Sequence, residues 1–434
     1  MKRAGALLLA LLIGSAVLSA ETFKGAETFD AVWKIVRDTH FDPAFDVATW
    51  DRVGTELRPK AIAATTPGEL RGILRDMLGR LGLSHFAVLP ATPDRPGEHV
   101  NLSAQPGFDV RLMGRQLVVT TVDPDGGAAS AGVRPGWIVQ SIGGTPVTTL
   151  LAGIADSTPP RIAQIEAWRL TVTNLRGPSD TTADVSFIDG SDATVTKSIE
   201  RKAERGEPVT VGSLPTMFVR VSSSMASTPG GRKAGVIAFN VWMTAVDRDF
   251  QKAMDRFRST DGIVIDLRGN PGGLAGMIMG LSGHFLAERA TLGVMKTREQ
   301  ELRFNANPRL VNAAGERVEP FKGPVAILVD GMTGSASECF AGGMQSLGRA
   351  RVFGQTTMGQ ALPALFDRLP NGDVLIHAWA DFVTGTGVRI EGRGVIPDEP
   401  VDLTRKALLS GRDATLDGAL AWIDRVGKEG RNLQ

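Results

Sequence analysis

The sequence predicts an α/β protein in which a helical segment and a β-rich module precede the main core. Beyond Val209 the apolar runs Ala234–Phe239, Gly262–Leu267 and Val325–Val329 alternate with helical patterns, the signature of buried strands layered with helices. Before them, Thr28–Arg37 and Pro67–Leu81 place apolar residues at helical spacing. From about Asn101 the texture changes to short β-rich runs punctuated by Gly, Pro and Asp.

Taken in order, the first element is a leader. Met1-Lys2-Arg3, an apolar run from Ala4 to Leu18, then Ser19 and Ala20, have the charged, apolar and small-residue regions of a secretory signal. The run is shorter than the ~20 residues of a membrane span, so a cleaved signal over 1–20 and export to periplasm or medium are expected, with no stable span afterwards. A helical domain over 21–100 follows, with Thr66 and Pro67 as N-cap and first-turn residue of its second helix and Gly82 as the cap that ends it.

A β-rich module is expected over 101–205. Gln116–Val122 and Trp137–Ile142 read as strands, and Asp184–Ile188 and Ala193–Ile199 as a hairpin about the turn Asp189-Gly190-Ser191. The charged stretch Glu200–Glu207 reads as a linker to the largest domain, 206–434.

The composition excludes several functions. With 434 residues, 48 Lys and Arg against 47 Asp and Glu give a formal charge of +1, leaving no field to hold nucleic acid. One cysteine, Cys339, permits no intramolecular disulfide, and one Cys with five His shows no metal-ligand spacing. No metal or cofactor is expected.

Three motifs can carry chemistry. Strand Val325–Val329 runs through Asp330-Gly-Met-Thr-Gly-Ser335-Ala-Ser-Glu338 into a helix, which puts Ser335 where helix N-terminal amides point and the Ala336 N–H can hold an oxyanion. A plain capping role for Thr333, Ser335 or Ser337, with Glu338 in the first turn, accounts for the same residues. Asp266-Leu-Arg-Gly-Asn-Pro-Gly272-Gly273 is a strand entering a glycine turn before the apolar stretch Leu274–Leu286, read as a helix; its amides suit an oxyanion hole or simply a positive-φ turn. His85, in the loop after Gly82-Leu-Ser84, is of the type that removes a serine proton near neutral pH.

Asp266–Gly273, Ser335–Glu338, Gly348-Arg-Ala350 with Val352-Phe-Gly354, and Gly394-Val-Ile-Pro-Asp398 resemble, in order and spacing, the C-terminal processing peptidases. The resemblance implies a crotonase-like or Clp-protease-like core with an inserted PDZ domain. Many members use a Ser-Lys dyad, but Gln360 stands in the lysine's place and has no basic nitrogen. Gly82-Leu-Ser84-His85 instead resembles the motif of the tricorn-core and retinoid-binding-protein-like branch. That likeness implies a tetrad: Ser335 attacks, His85 is base and acid, Ser84 orients it, and Glu391 polarises Ser84. Gly272, Gly273 and Ala336 are the implied oxyanion donors.

In the middle module Gly107-Phe108-Asp109-Val110, Ala128–Gly136 and Trp137–Gly144 resemble a bacterial PDZ domain, which implies capture of a peptide carboxylate and edge strand around Gly107–Val110. The segment Arg161–Lys202 exceeds a compact PDZ. The function expected is serine endopeptidase action on unfolded or C-terminally exposed proteins. The competing expectation is a catalytically silent PDZ-containing peptide-binding scaffold.

Overall fold

The computed structural model describes residues 24–91, 104–212, 214 and 216–432. The expected signal over 1–20, and the expected boundary at 100–101 between the helical and β-rich parts, lie outside the described residues.

Three helices, Gly25–Thr39, Val47–Ala63 and Pro67–Gly79, pack around Phe29, Val36, Trp50, Leu57 and Leu74. The third begins as its sequence requires: Pro67 occupies the first turn and the Thr66 side chain accepts from the Glu69 amide. It stops at Gly79, and the chain reverses at Gly82 with φ +63°. Glycine takes that angle without steric cost.

The chain then joins the core directly. Ala87–Leu89 pairs antiparallel with Val374–Ala378, and the buried Arg71 guanidinium grips Asp373 through Nε (2.9 Å) and Nη2 (2.6 Å). Leu369 and Leu375, from the far end of the chain, complete the helical core. Removing either partner of a buried, hydrogen-bonded pair leaves a stranded charge and costs about 3–5 kcal/mol, so the loop carrying His85 is fixed to the core rather than tethered to it.

The β-rich part is an antiparallel sheet in the spatial order Phe108–Met113, Gln116–Val122, Ile138–Ile142, Thr182–Ile188, Thr194–Glu200. Val119, Val139, Phe187 and Ile199 fill its core, and Asp189 Oδ1 accepts from the Ser191 and Ala193 amides to close the expected hairpin turn. The extra length of this part is the helix Pro160–Leu175, which lies along the outer strand Phe108–Met113. The stretch Glu200–Glu207 is not a bare linker. Lys202–Ala203 pairs with Ala104–Gln105, and Glu207–Val209 pairs with Met217–Val219, because ladder hydrogen bonds satisfy these backbones better than an extended connection would.

The largest part is a six-stranded sheet in the order Val221–Ser227, Lys233–Phe239, Gly262–Asp266, Val325–Val329, Arg351–Gly354, Glu399–Pro400. Its first pair is antiparallel and the rest parallel. Strand periodicity sorts the side chains: Ile263, Ile265 and Ile327 join Phe250, Met254 and Phe340 on one face, whereas Val264, Ala326 and Leu328 meet Ala419 and Ile423 of the C-terminal helix on the other. Both faces are covered, hence the unbroken apolar runs in the sequence. The expected helix over Leu274–Leu286 forms only as Met277–Ser282. At both ends i−3 bonds replace the α pattern, Met277 N to Leu274 O and Ile278 N to Ala275 O before it, His284 N to Leu281 O and Phe285 N to Ser282 O after it. Among the described residues no helix is long and apolar enough to cross a membrane.

Candidate active site

The parallel strands Gly262–Asp266 and Val325–Val329 deliver two tight turns to the same edge of the sheet. Asn270 joins them: its amide nitrogen donates to Phe239 O, its side-chain oxygen accepts from Gly272 N (3.0 Å), and its carbonyl accepts from Gly334 N (3.0 Å). The closeness is strict at Gly272, φ +106°, where a β-carbon would lie 2.6 Å from Ser335 Cβ.

Ser335 has φ +51° and ψ −119° and stands at the N-terminus of the helix Ala336–Ser346. That conformation is strained for a residue with a side chain and presents its Oγ at a sharp strand-to-helix elbow. Only four non-glycine residues among those described have positive φ, and His85 (+56°) is a second; the others, Asp180 and Asp192, are aspartates in turns, where the conformation is cheap. The serine singled out as nucleophile is therefore held in costly backbone, and His85 also lies in the left-handed region.

Glu391 meets the adjacent pair Ser84 and His85 from 307 positions along the chain. Glu391 Oε1 accepts from Ser84 N (2.9 Å), and its Oε2 accepts from Ser84 Oγ (2.9 Å) and from Ala361 N (2.9 Å). Ser84 Oγ also lies 2.8 Å from His85 Nδ1. Because the Ser84 hydroxyl proton is given to Glu391, the bond to the ring has to be made by an Nδ1–H, and Nε2 is left with its lone pair. Burial of the ring pushes the His85 pKa down to about 4, so the imidazole is neutral near pH 7. Among the described residues no hydrogen bond joins His85 to Ser335. The two sides are linked through the turn Thr356–Ala361: Ser335 N donates to Gln360 O (2.9 Å), and the next amide, Ala361 N, reaches Glu391. Gln360 takes part through its backbone, as its side chain has no basic nitrogen to offer.

Of the three amides named as oxyanion donors, Gly272 N–H is engaged by Asn270. Gly273 and Ala336 stand on either side of the elbow, Gly273 bridged to Trp242 and Ala336 opening the helix. A narrow cavity of about 20 Å³ opens beside Ser335, walled by Ala275, Ile278, Met295, Phe304, Cys339 and Phe382. Its lining is apolar, and burial raises the Cys339 thiol pKa, making that group inert filling rather than a nucleophile. No group of three His, Cys, Asp or Glu side chains among the described residues is placed to hold a metal.

Two further groups were not singled out from the sequence for chemistry. Glu338 is fully buried; its Oε1 accepts from Thr357 Oγ1 and Gly359 N (2.7 Å), and its Oε2 from Gln360 N (3.0 Å) and Ser335 N (3.0 Å). Burial pushes its pKa up to about 7 against the pull of those donors. Only the Ser-x-x-Glu spacing announced it, as an ordinary helix cap. Asp330 accepts from Gly269 N and Met332 N and pairs with Arg111 of the β-rich part (2.8 Å), so that burial is outweighed and its pKa stays low. No spacing in the sequence could have joined those two.

At the expected peptide-binding segment, Gly107 (φ +85°) packs on Gly126 and Phe108 is buried. Asp109 is taken by Arg111 and Trp168 Nε1, Val110 N by Asp109 Oδ1, and Leu112 N by Gln164 Oε1. The strand amides Val110 N and Leu112 N are thus occupied by the protein's own side chains, the second by Gln164 of the helix Pro160–Leu175.

The site thus joins a strained serine elbow, glycine amides beside it and a neutral histidine held by a Ser-Glu pair. Two family models match, peptidase family S41 over residues 233–401 and the tricorn protease C1 domain over residues 24–79. These two matches, over separate parts of the chain, relate it to the C-terminal processing peptidases. It is 24% identical over 300 residues to a Staphylococcus aureus protein described as a probable CtpA-like serine protease, covering 68% of this chain and 52% of that one. It is also 24% identical over 414 residues to a Streptomyces coelicolor protein described as tricorn protease homolog 2, covering 91% of this chain and 32% of that one. The chain therefore spans about half or less of the length of these curated relatives. In fold it is similar to the photosystem II D1 C-terminal processing protease (TM-score 0.54, 22% identity, 90% of this chain and 98% of that one). It is likewise similar to mature CPAF in complex with lactacystin (TM-score 0.59, 14% identity, 94% and 98%).

Proposed function

We propose that the chain is an exported serine endopeptidase that cleaves unfolded or C-terminally exposed proteins through Ser335, His85, Ser84 and Glu391. The observation that carries this is the Glu391–Ser84–His85 relay, which leaves the His85 Nε2 lone pair unengaged among the described residues, while Glu391 also holds the Ala361 amide next to Gln360, whose carbonyl accepts from Ser335 N. In this reading Ser335 Oγ attacks the peptide carbonyl as its proton passes to His85 Nε2. The Gly273 and Ala336 amides take the oxyanion, and the imidazolium returns the proton to the leaving amine. The Nδ1–H to Ser84 bond, backed by the Glu391 carboxylate, stabilises that imidazolium. The apolar cavity beside Ser335 suits a small apolar side chain next to the scissile bond.

The architecture supports a crotonase-like or Clp-protease-like core over 206–434, a PDZ-like module over 101–205 and an N-terminal helical domain over 21–100. Peptide capture would use the outer strand Phe108–Met113 once Gln164 releases Leu112 N. Export rests on the leader-like residues 1–20.

The test is hydrolysis of an unstructured protein such as reduced casein by the purified chain and its Ser335→Ala, His85→Ala and Gln360→Ala variants. Loss in the first two and retention in the third supports the tetrad, since Gln360 works through its backbone. A chain that cleaves nothing and fails to react with a fluorophosphonate, while binding peptides, is the scaffold instead.

A further inference from the structure

We propose that Glu338 is a positioning residue for catalysis, whose carboxylate fastens the turn Thr357–Ala361 to the nucleophile's backbone and so sets the spacing between Ser335 and His85. The proposal rests on the serine-peptidase reading above.

Two successive amides of that turn donate to two different carboxylates: Gln360 N to Glu338 (3.0 Å) and Ala361 N to Glu391 (2.9 Å). Glu338 also receives Ser335 N, and Glu391 also receives Ser84 N and Oγ. The turn is therefore bolted to the nucleophile by one glutamate and to the base-orienting pair by the other. The single Gln360–Ala361 peptide link thus connects the two carboxylates.

A helix cap alone does not explain Glu338. Capping the N-terminus needs one oxygen, for Ser335 N; the other three donors come from a segment about twenty residues further on. The side chain has no exposure, and among the described residues no Lys or Arg nitrogen pairs with it. A buried carboxylate without a cation is expensive, and such a group persists where its geometry is needed.

The donor pattern separates the substitutions. Glu338→Gln keeps one carbonyl oxygen for Ser335 N and Gln360 N and turns its amide toward Thr357 Oγ1, which already accepts from Val395 N and has a second lone pair, so that only the Gly359 N bond is lost. Glu338→Ala loses all four contacts. Glu338→Asp keeps the charge but is one methylene too short to span both segments.

The experiment measures kcat and KM on reduced casein, the rate of fluorophosphonate labelling at Ser335, and Tm. A loosened site displaced by about 1 Å loses on the order of a hundredfold. Glu338→Ala is therefore expected to lose about that much in kcat and labelling rate with KM within about threefold, and Glu338→Gln to recover at least about tenfold of the loss. Glu338→Asp stands in for the alanine variant if the latter does not fold, with the same expected loss. Phe187→Leu, in the core of the β-rich part, supplies a control that lowers Tm while keeping kcat. A Glu338→Ala chain that labels at the wild-type rate overturns the proposal, as does a glutamine variant no faster than alanine. So does a Phe187→Leu control that loses kcat in step with Tm. Failure of the wild type itself to label sinks the peptidase reading and this proposal with it; a labelled wild type with an unaffected Glu338→Ala sinks this proposal alone.

Discussion

Replacing Ser84 by alanine isolates the part of the site that orients the base. The variant keeps Glu391 and its bonds to the backbone amides of residue 84 and Ala361, so the loop stays anchored. It deletes the Oγ that lies between Glu391 Oε2 (2.9 Å) and His85 Nδ1 (2.8 Å). In the transition state the imidazole is cationic, and the lost Nδ1–H to Oγ contact is then charge-assisted, worth about 1.5–3 kcal/mol. Loss of the enforced tautomer adds to this, since only the Nδ1–H form leaves Nε2 able to accept a proton. A combined loss of about 3 kcal/mol corresponds to roughly a hundredfold to two-hundredfold fall in kcat. Steady-state hydrolysis of reduced casein, with Tm measured alongside, reads the effect: kcat falls by about two orders of magnitude, KM changes little, and Tm stays within a few degrees. A Ser84→Ala enzyme within threefold of wild type would refute the relay, because the imidazole would then need neither Ser84 nor Glu391.

Other consequences follow from the same geometry. Gly272→Ala places a β-carbon 2.6 Å from Ser335 Cβ at φ +106°, so activity on casein should fall by more than tenfold while the circular dichroism spectrum is kept. Gln164→Ala frees Leu112 N on the outer strand and should tighten binding of an apolar C-terminal peptide severalfold by titration calorimetry; unchanged affinity would move peptide capture elsewhere. Because folded His85 titrates at about 4, the acid limb that His85 itself gives kcat/KM should lie below about pH 5. For stability, His85 and the partnerless buried His284, lowered to about 3, bind fewer protons folded than unfolded below pH 6.5. Their effect is a stability that is whole above pH 6.5 and lost progressively as pH falls toward 4. Glu338, raised from 4.5 to about 7, acts in the opposite sense, favouring the fold most at low pH and less as pH rises from 4.5 to 7. His284→Phe removes two unsatisfied nitrogens beside Phe250 and Phe285 and should raise Tm most on the acid side, which scanning calorimetry across pH 4–7 would show.

Much of this was legible in the residues because it is local. The strands of the central sheet are buried on both faces and so are written as unbroken apolar runs, and Thr66-Pro67 and Gly82 mark the helix ahead of His85 by capping chemistry alone. The serine elbow and the glycine turn were visible as strand-to-helix punctuation. What stayed hidden is what depends on tertiary approach. Arg111 meets Asp330 and Arg71 meets Asp373 across more than two hundred residues, with no spacing to announce them. Glu338 was visible only as a first-turn acid, since the loop it holds arrives from another part of the chain. The apolar stretch from Leu274 reads as a longer helix than Met277–Ser282 because apolar periodicity does not distinguish an α-helix from the i−3 turns that flank it. Glu200–Glu207 was read as a connection because charge hides the ladders that its backbone completes.

The most direct test of the central claim is intact-protein mass spectrometry of the purified chain after reaction with a fluorophosphonate. The tetrad predicts one adduct, mapped to Ser335, absent in Ser335→Ala and formed far more slowly in His85→Ala. No adduct, or an adduct at another serine with Ser335→Ala labelled equally, would contradict it.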